Sequence, residues 1–149
     1  MTDKWVSFFI ENERYCCNIE EIKEVLPYTE SNPFPGSSAE ADGILNIRNE
    51  IITILNGPKL FRCENNSVQN NILIVETKTA DRMGITIDKV DQIIEFSPDQ
   101  IESNALEHSE WIKGTVNLNN QLTMVVDFAE LAERTAPEPD DITDALTNS

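Results

Sequence analysis

Gly43-Ile44-Leu45-Asn46-Ile47-Arg48-Asn49-Glu50-Ile51-Ile52-Thr53-Ile54-Leu55-Asn56 returns without a gap as Gly114-Thr115-Val116-Asn117-Leu118-Asn119-Asn120-Gln121-Leu122-Thr123-Met124-Val125-Val126-Asp127. Gly114 follows Gly43 by 71 residues, and Asp127 follows Asn56 by the same distance. Upstream, Tyr15 to Leu26 is echoed by Met83 to Ile94 at a spacing of 68 residues. Self-similarity at a nearly constant spacing decides the architecture, because each copy is one supersecondary unit that must bury its apolar face against the other.

Within each copy, two β-branched runs flank a short polar turn, Arg48-Asn49-Glu50 in the first and Asn119-Asn120-Gln121 in the second. Asn tolerates positive φ better than any residue but Gly, so Asn49 and Asn120 predict one shared tight turn. Trp5 to Ile10 and Tyr15 to Ile19 read as an opening hairpin around Glu11-Asn12-Glu13, and Lys23 to Tyr28 as a further short strand. Thr29 to Asp42 reads as a loop, and Glu64 to Asn71 as the connection between the copies. The continuous apolar run Ile72-Leu73-Ile74-Val75 predicts a strand covered on both faces. Ser97-Pro98-Asp99-Gln100 predicts a brief helical turn, and Asp127 followed by Glu130 predicts a short C-terminal helix. From Thr135 the composition turns to Pro, Asp and Thr, as expected of an acidic, disordered tail over 135–149. The fold class expected is all-β: two barrel-like lobes of SH3-like or OB-like type related by a pseudo-twofold, with a shared core and little helix. The folded unit is expected over 4–134, with one lobe at about 15–63, the other at about 72–127, and the ends exchanged between them.

Composition narrows function by exclusion. The net charge is −16. Nucleic acids and anionic membranes are repelled by such a surface, and the same charge favours a soluble monomer. No apolar run reaches the ~20 residues of a membrane span, and no secretory segment opens the chain, so a cytoplasmic location is expected. Three cysteines, two of them the adjacent Cys16 and Cys17, form no CxxC motif and read as reduced apolar fillers. On a strand, one of that pair is expected to face inward and the other outward.

No motif for chemistry stands out. The lone His108 reads as a surface residue, and the scattered glycines form no phosphate loop. No spacing suits zinc or calcium, and no cofactor is expected. Carboxylates are plentiful and read as a solvated face. Protein docking is left as the expected function, with a ligand-binding or hydrolytic barrel using surface carboxylates as the reading from another class. From the residues alone, Arg48 against Asn119 in the second copy reads as drift on an exposed turn.

The ordered signatures Phe8…Glu13-x-Tyr15, Ile19-x-x-Ile22-x-Glu24-Val25 and Gly43 to Arg48, then Gly84-Ile85-x-Ile87-Asp88-x-Val90-x-x-Ile93, then Gly114 to Phe128, resemble the chemotaxis coupling proteins of the CheW family. The likeness runs from about Trp5 to Arg134. It implies two five-stranded barrels and no enzymatic activity. It implies an adaptor between the cytoplasmic tip of a chemoreceptor and the regulatory domain of a CheA-type histidine kinase. It also implies that Ile22, Glu24, Gly43, Arg48, Val90 and Ile93 shape the receptor-facing surface, with Glu24 and Arg48 as a charged pair. With the likeness included, function is favoured over drift at Arg48.

The chain departs from the family pattern at Glu11 and Asn49, where the family usually has Gly, at Thr53, where it has Pro, and at Asn56, where it has Asp. These departures leave open a divergent scaffold of another chemosensory pathway, such as one governing pili or surface behaviour.

Overall fold

The computed structural model describes residues 2–33, 41–64, 68–77, 81–103 and 112–129. Ten strands form among them: β1 (Asp3–Ile10), β2 (Glu13–Asn18), β3 (Ile22–Pro27), β4 (Ala41–Ile47), β5 (Glu50–Leu55), β6 (Asn71–Glu76), β7 (Arg82–Ile87), β8 (Lys89–Phe96), β9 (Ile112–Leu118) and β10 (Gln121–Val126). They make two five-stranded sheets, here A (β8-β1-β2-β10-β9) and B (β3-β6-β7-β5-β4). The repeat spacing maps one order onto the other: β2 on β7, β8 on β3, β9 on β4 and β10 on β5. Each sheet has a single parallel ladder, β2 with β10 and β5 with β7, at equivalent places.

Neither sheet closes by a full ladder. One isolated bridge spans the open side of each, Asn32 with Ile44 in B and Glu102 with Thr115 in A. The repeated glycines permit these bridges. A Cβ on Gly43 would lie 2.3 Å from Asn32 O, and one on Gly114 would lie 2.2 Å from Glu102 O. Only a residue without a side chain lets the two backbones approach so closely.

The hairpin turns agree with the reading of Asn49 and Asn120, and add to it. Arg48 and Asn49 have φ of 50° and 68°, and Asn119 and Asn120 have 53° and 65°. Two consecutive positive φ values define the primed turn that matches strand twist. Glu11, at φ 51°, sits in a third such turn. Its strain is offset in part by the Asp88 carboxylate, which accepts the Glu11 N–H at 3.1 Å.

Three apolar clusters fill the molecule. One lies on sheet A alone (Trp5, Cys16, Phe96, Val116, Val125) and one on sheet B alone (Ile52, Ile54, Ile72, Ile74). The third is shared: Phe8, Ile10, Tyr15 and Cys17 from sheet A meet Leu73, Val75, Met83 and Ile85 from sheet B. Ile72 to Val75 is therefore buried on both faces, as its apolar run predicts. The expectation for Cys16 and Cys17 is corrected. They do point to opposite faces, but both are wholly buried, because β2 also has a core on each side.

Pro98–Gln100 forms the expected helical turn, capped by Ser97. Two helical pieces were not anticipated: a 3₁₀ turn at Ile19–Glu21, and α1 (Gly57–Leu60) capped by Asn56. The Ala129 N–H donates to Asp127 Oδ1 at 3.0 Å, the bond expected of a helix cap. The helix beyond it, His108 and the tail 135–149 lie outside the described residues.

Candidate functional site

Edge strands β3 and β8 carry most of the residues singled out in the sequence. Both contain a bulge. In β3 the register shifts between Ile22 and Glu24, leaving Lys23 as the extra residue. In β8 it shifts opposite Ser7, where Asp91 and Gln92 face one residue of β1. Residues three apart on a regular strand point to opposite faces, and a bulge puts them on the same face. Ile22 and Val25 thus share a face, as do Val90 and Ile93.

Ile22 and Val90, equivalent in the repeat, both pack against the shared cluster. Their bulge partners stay uncovered, Val25 at 42% and Ile93 at 59% exposure. The two edge strands therefore flank the shared core and present an apolar pair each. Val25 escaped the sequence reading. Its signal was present in the repeat, since Val25 precedes Ile93 by 68 residues.

Glu24 and Arg48 do meet. The Arg48 guanidinium donates to Glu24 Oε2 and ties edge strand β3 to the β4–β5 hairpin across the open side of sheet B. That hydrogen bond, with the charge behind it, holds the Glu24 carboxyl below the usual carboxylate range. The equivalent residues in sheet A, Gln92 and Asn119, carry no charge, so this clasp belongs to one half only. Gly43 stands apart from these contacts. It lies on β4 against the Asn32 backbone, where it shapes the strand.

A second cluster sits where the Ile19–Glu21 turn meets the end of β10. A cavity of about 270 Å³ is lined by Trp5, Asn18, Glu20, Glu21, Lys113, Val126 and Asp127. Burial, then the neighbouring Asp127 charge, pushes the Glu21 carboxyl up to about 7. Perturbed carboxylates in a cavity are candidates for acid–base chemistry. Here their oxygens are already engaged. Glu21 accepts the Ala129 and Asn18 N–H groups, both at 3.1 Å. Asp127 accepts the Ala129 N–H and lies 3.3 Å from Lys113 Nζ. The pair joins two helix starts and offers no open oxygen to a substrate.

The thiols are equally unsuited to nucleophilic work. Burial pushes Cys16 up to about 12 and Cys17 well above its ordinary value. Among the described residues, no group of His, Cys, Asp and Glu could hold a metal ion, and no helix is long and apolar enough to cross a membrane. The arrangement suits docking: two bulged edge strands, exposed apolar pairs and one charged clasp.

Comparison with known proteins agrees in kind. The family model described as CheW-like domain matches residues 4–136. The chain is similar to the chemotaxis protein CheW of Treponema pallidum, with 28% identity over 138 residues, covering 85% of this chain and 79% of that protein. It is also similar to the chemotaxis protein CheW of Thermotoga maritima, at 21% identity covering 86% of each. The crystal structure of the scaffolding protein TtCheW from Thermoanaerobacter tengcongensis superposes with a TM-score of 0.77 at 22% identity, covering 87% of this chain and 92% of that one.

Proposed function

The chain belongs to the CheW-like domain family, and from that membership we propose that it is a non-enzymatic chemotaxis adaptor, working in the cytoplasm between a chemoreceptor and a CheA-type histidine kinase. The observation that carries the receptor half is the pair of bulged edge strands. Ile22 and Val25 on β3, and Val90 and Ile93 on β8, form two apolar walls beside the shared core. A helix of the receptor tip meets those walls with its own apolar stripe. The Glu24–Arg48 clasp stands at the rim, where charge governs partner choice and orientation more than affinity. Gly43 lets β4 close on Asn32 and so fixes the hairpin that presents Arg48. The kinase regulatory domain, of related barrel architecture, binds elsewhere on the same molecule.

The test is titration of the chain with the cytoplasmic fragment of a chemoreceptor and, separately, with the regulatory domain of a CheA-type kinase from the same cell. Both bind. Arg48→Glu lowers receptor affinity by roughly tenfold with an unchanged circular dichroism spectrum and unchanged kinase binding. Equal receptor affinity in that variant removes Arg48 from the site.

A further inference from the structure

Bulges need holding, and the two edge strands are held in different ways. In sheet B the Glu24–Arg48 clasp reaches from outside, over the open side. In sheet A the holding is internal. Ser7, wholly buried, faces the β8 bulge. Its Oγ lies 3.0 Å from Asp91 Oδ2 and 3.1 Å from Gln92 O, to which it donates, and it accepts the Gln92 N–H at 3.2 Å. One hydroxyl thus binds both residues of the bulge.

Behind Asp91 stands Arg14 on β2, only 6% exposed. Its Nε lies 3.3 Å from Asp91 Oδ2, and its Nη1 donates to Gln121 Oε1 at 3.3 Å. A line of polar contacts therefore runs from edge strand β8, past β1 and β2, to the first residue of β10. The repeat sharpens the contrast. Arg82, equivalent to Arg14, is half-exposed and reaches Glu50, which is equivalent to Gln121, at 3.3 Å, with Glu76 at 3.8 Å. The same two positions make a surface ion pair in one half and a buried relay in the other.

We propose that Ser7, Asp91 and Arg14 are positioning residues for the partner-facing surface: they lock the β8 bulge and hold Val90 and Ile93 on one face. The proposal rests on the receptor reading given above. The relay does for the β8 wall what the Glu24–Arg48 clasp does for the β3 wall, and it does so out of reach of salt and solvent. Without the lock, β8 can slip by one residue, and a one-residue slip turns every side chain beyond it to the other face.

Removing Arg14 or Asp91 leaves a partly buried charge without its partner and endangers the fold. The test therefore uses Ser7→Ala, Ser7→Thr and the exposed end of the relay, Gln121→Ala, in the full chain. Amide and methyl NMR spectra report on Gln92, Val90 and Ile93, and titration with the receptor cytoplasmic fragment reports affinity. Ser7→Ala moves the Gln92 amide and the Val90 and Ile93 methyl signals and weakens receptor binding by roughly fivefold, about the worth of one hydrogen bond. Ser7→Thr, which restores the hydroxyl, returns both towards wild type. Gln121→Ala shifts the same signals by less, and Glu24 signals stay in place in all three variants. Wild type that fails to bind the fragment removes the receptor reading itself. Wild type that binds, with Ser7→Ala binding equally well and the Val90 and Ile93 methyls unmoved, overturns the positioning role alone.

Discussion

Asn56 Nδ2 donates to Asp42 Oδ1 at 3.3 Å while Asn56 Oδ1 accepts the Lys59 N–H at 2.9 Å, so one amide caps α1 and binds the bulge residue of β4. The second half has the same contact with its chemistry exchanged. Asp127 is the cap and Lys113 the bulge residue, 3.3 Å apart as an ion pair. An aspartate at position 56, the usual family residue, would face Asp42 with like charge. Asn56→Asp should keep the cap and lose the amide donor, costing about 1 kcal/mol at neutral pH. The double change Asn56→Asp with Asp42→Lys should recover most of it. Chemical denaturation of the single and double variants checks this, and equal stability of Asn56→Asp and wild type would remove the Asp42 contact from the account.

Glu21 gives a pH signature. Its folded-state pKa of about 7 lies above its ordinary value of 4.5. The folded chain therefore binds more protons than the unfolded chain between those values, and stability falls as pH rises through that window. The contribution is complete below the lower value and gone above the upper one. Because Glu21 is partly exposed, the loss is on the order of 1–2 kcal/mol, less than the full shift converts to. Asp127→Asn removes the neighbouring charge, so it should lower the Glu21 titration and flatten the slope from pH 4.5 to 7. Carboxyl NMR titration of both proteins measures it.

Gly43 and Gly114 predict matched losses. Alanine at either places a Cβ within 2.3 Å of a carbonyl oxygen in the closing bridge. Each substitution should cost about 2 kcal/mol or more. Thermal unfolding of both variants should show similar shifts, since the two sites are equivalent. A mild loss at one and a large loss at the other would break the equivalence.

Arg48 is kept in the left-handed region, at φ 50°, where glycine is easier. Arg48→Gly should give a midpoint of thermal unfolding equal to or above wild type and a weaker receptor complex. A strained residue whose removal helps folding and harms binding is held by function. A loss of stability together with unchanged binding would assign Arg48 to the turn alone.

Much of this was legible because the chain repeats. Two equal spacings gave the all-β class and the equivalence of the hairpins, and Ile72 to Val75 declared a doubly covered strand. The misses share one cause: they depend on which strands become neighbours. Cys17 faces a core because β2 packs against sheet B, which alternation along β2 cannot reveal. Glu21 meets Asp127 from 106 residues away, and Arg14 meets Gln121 from 107. α1 is different. Asn56 repeats the position of Asp127, so the cap read at Asp127 was a signal for a helix after Asn56 that composition alone obscured.

The strand order has a consequence for how the molecule is made. Sheet B draws only on β3 to β7, while sheet A sets Tyr15 beside Met124 and Cys16 beside Val125. During synthesis the strands of sheet B are complete while β9 and β10 are still untranslated. Until they emerge, Phe8, Tyr15 and Cys17 belong to a sheet that lacks its parallel partner, and the Leu73–Val75–Met83–Ile85 face waits without a finished cover. A ribosome paused before Val126 therefore holds a folded half with a bare apolar flank, the kind of nascent surface on which chaperones act.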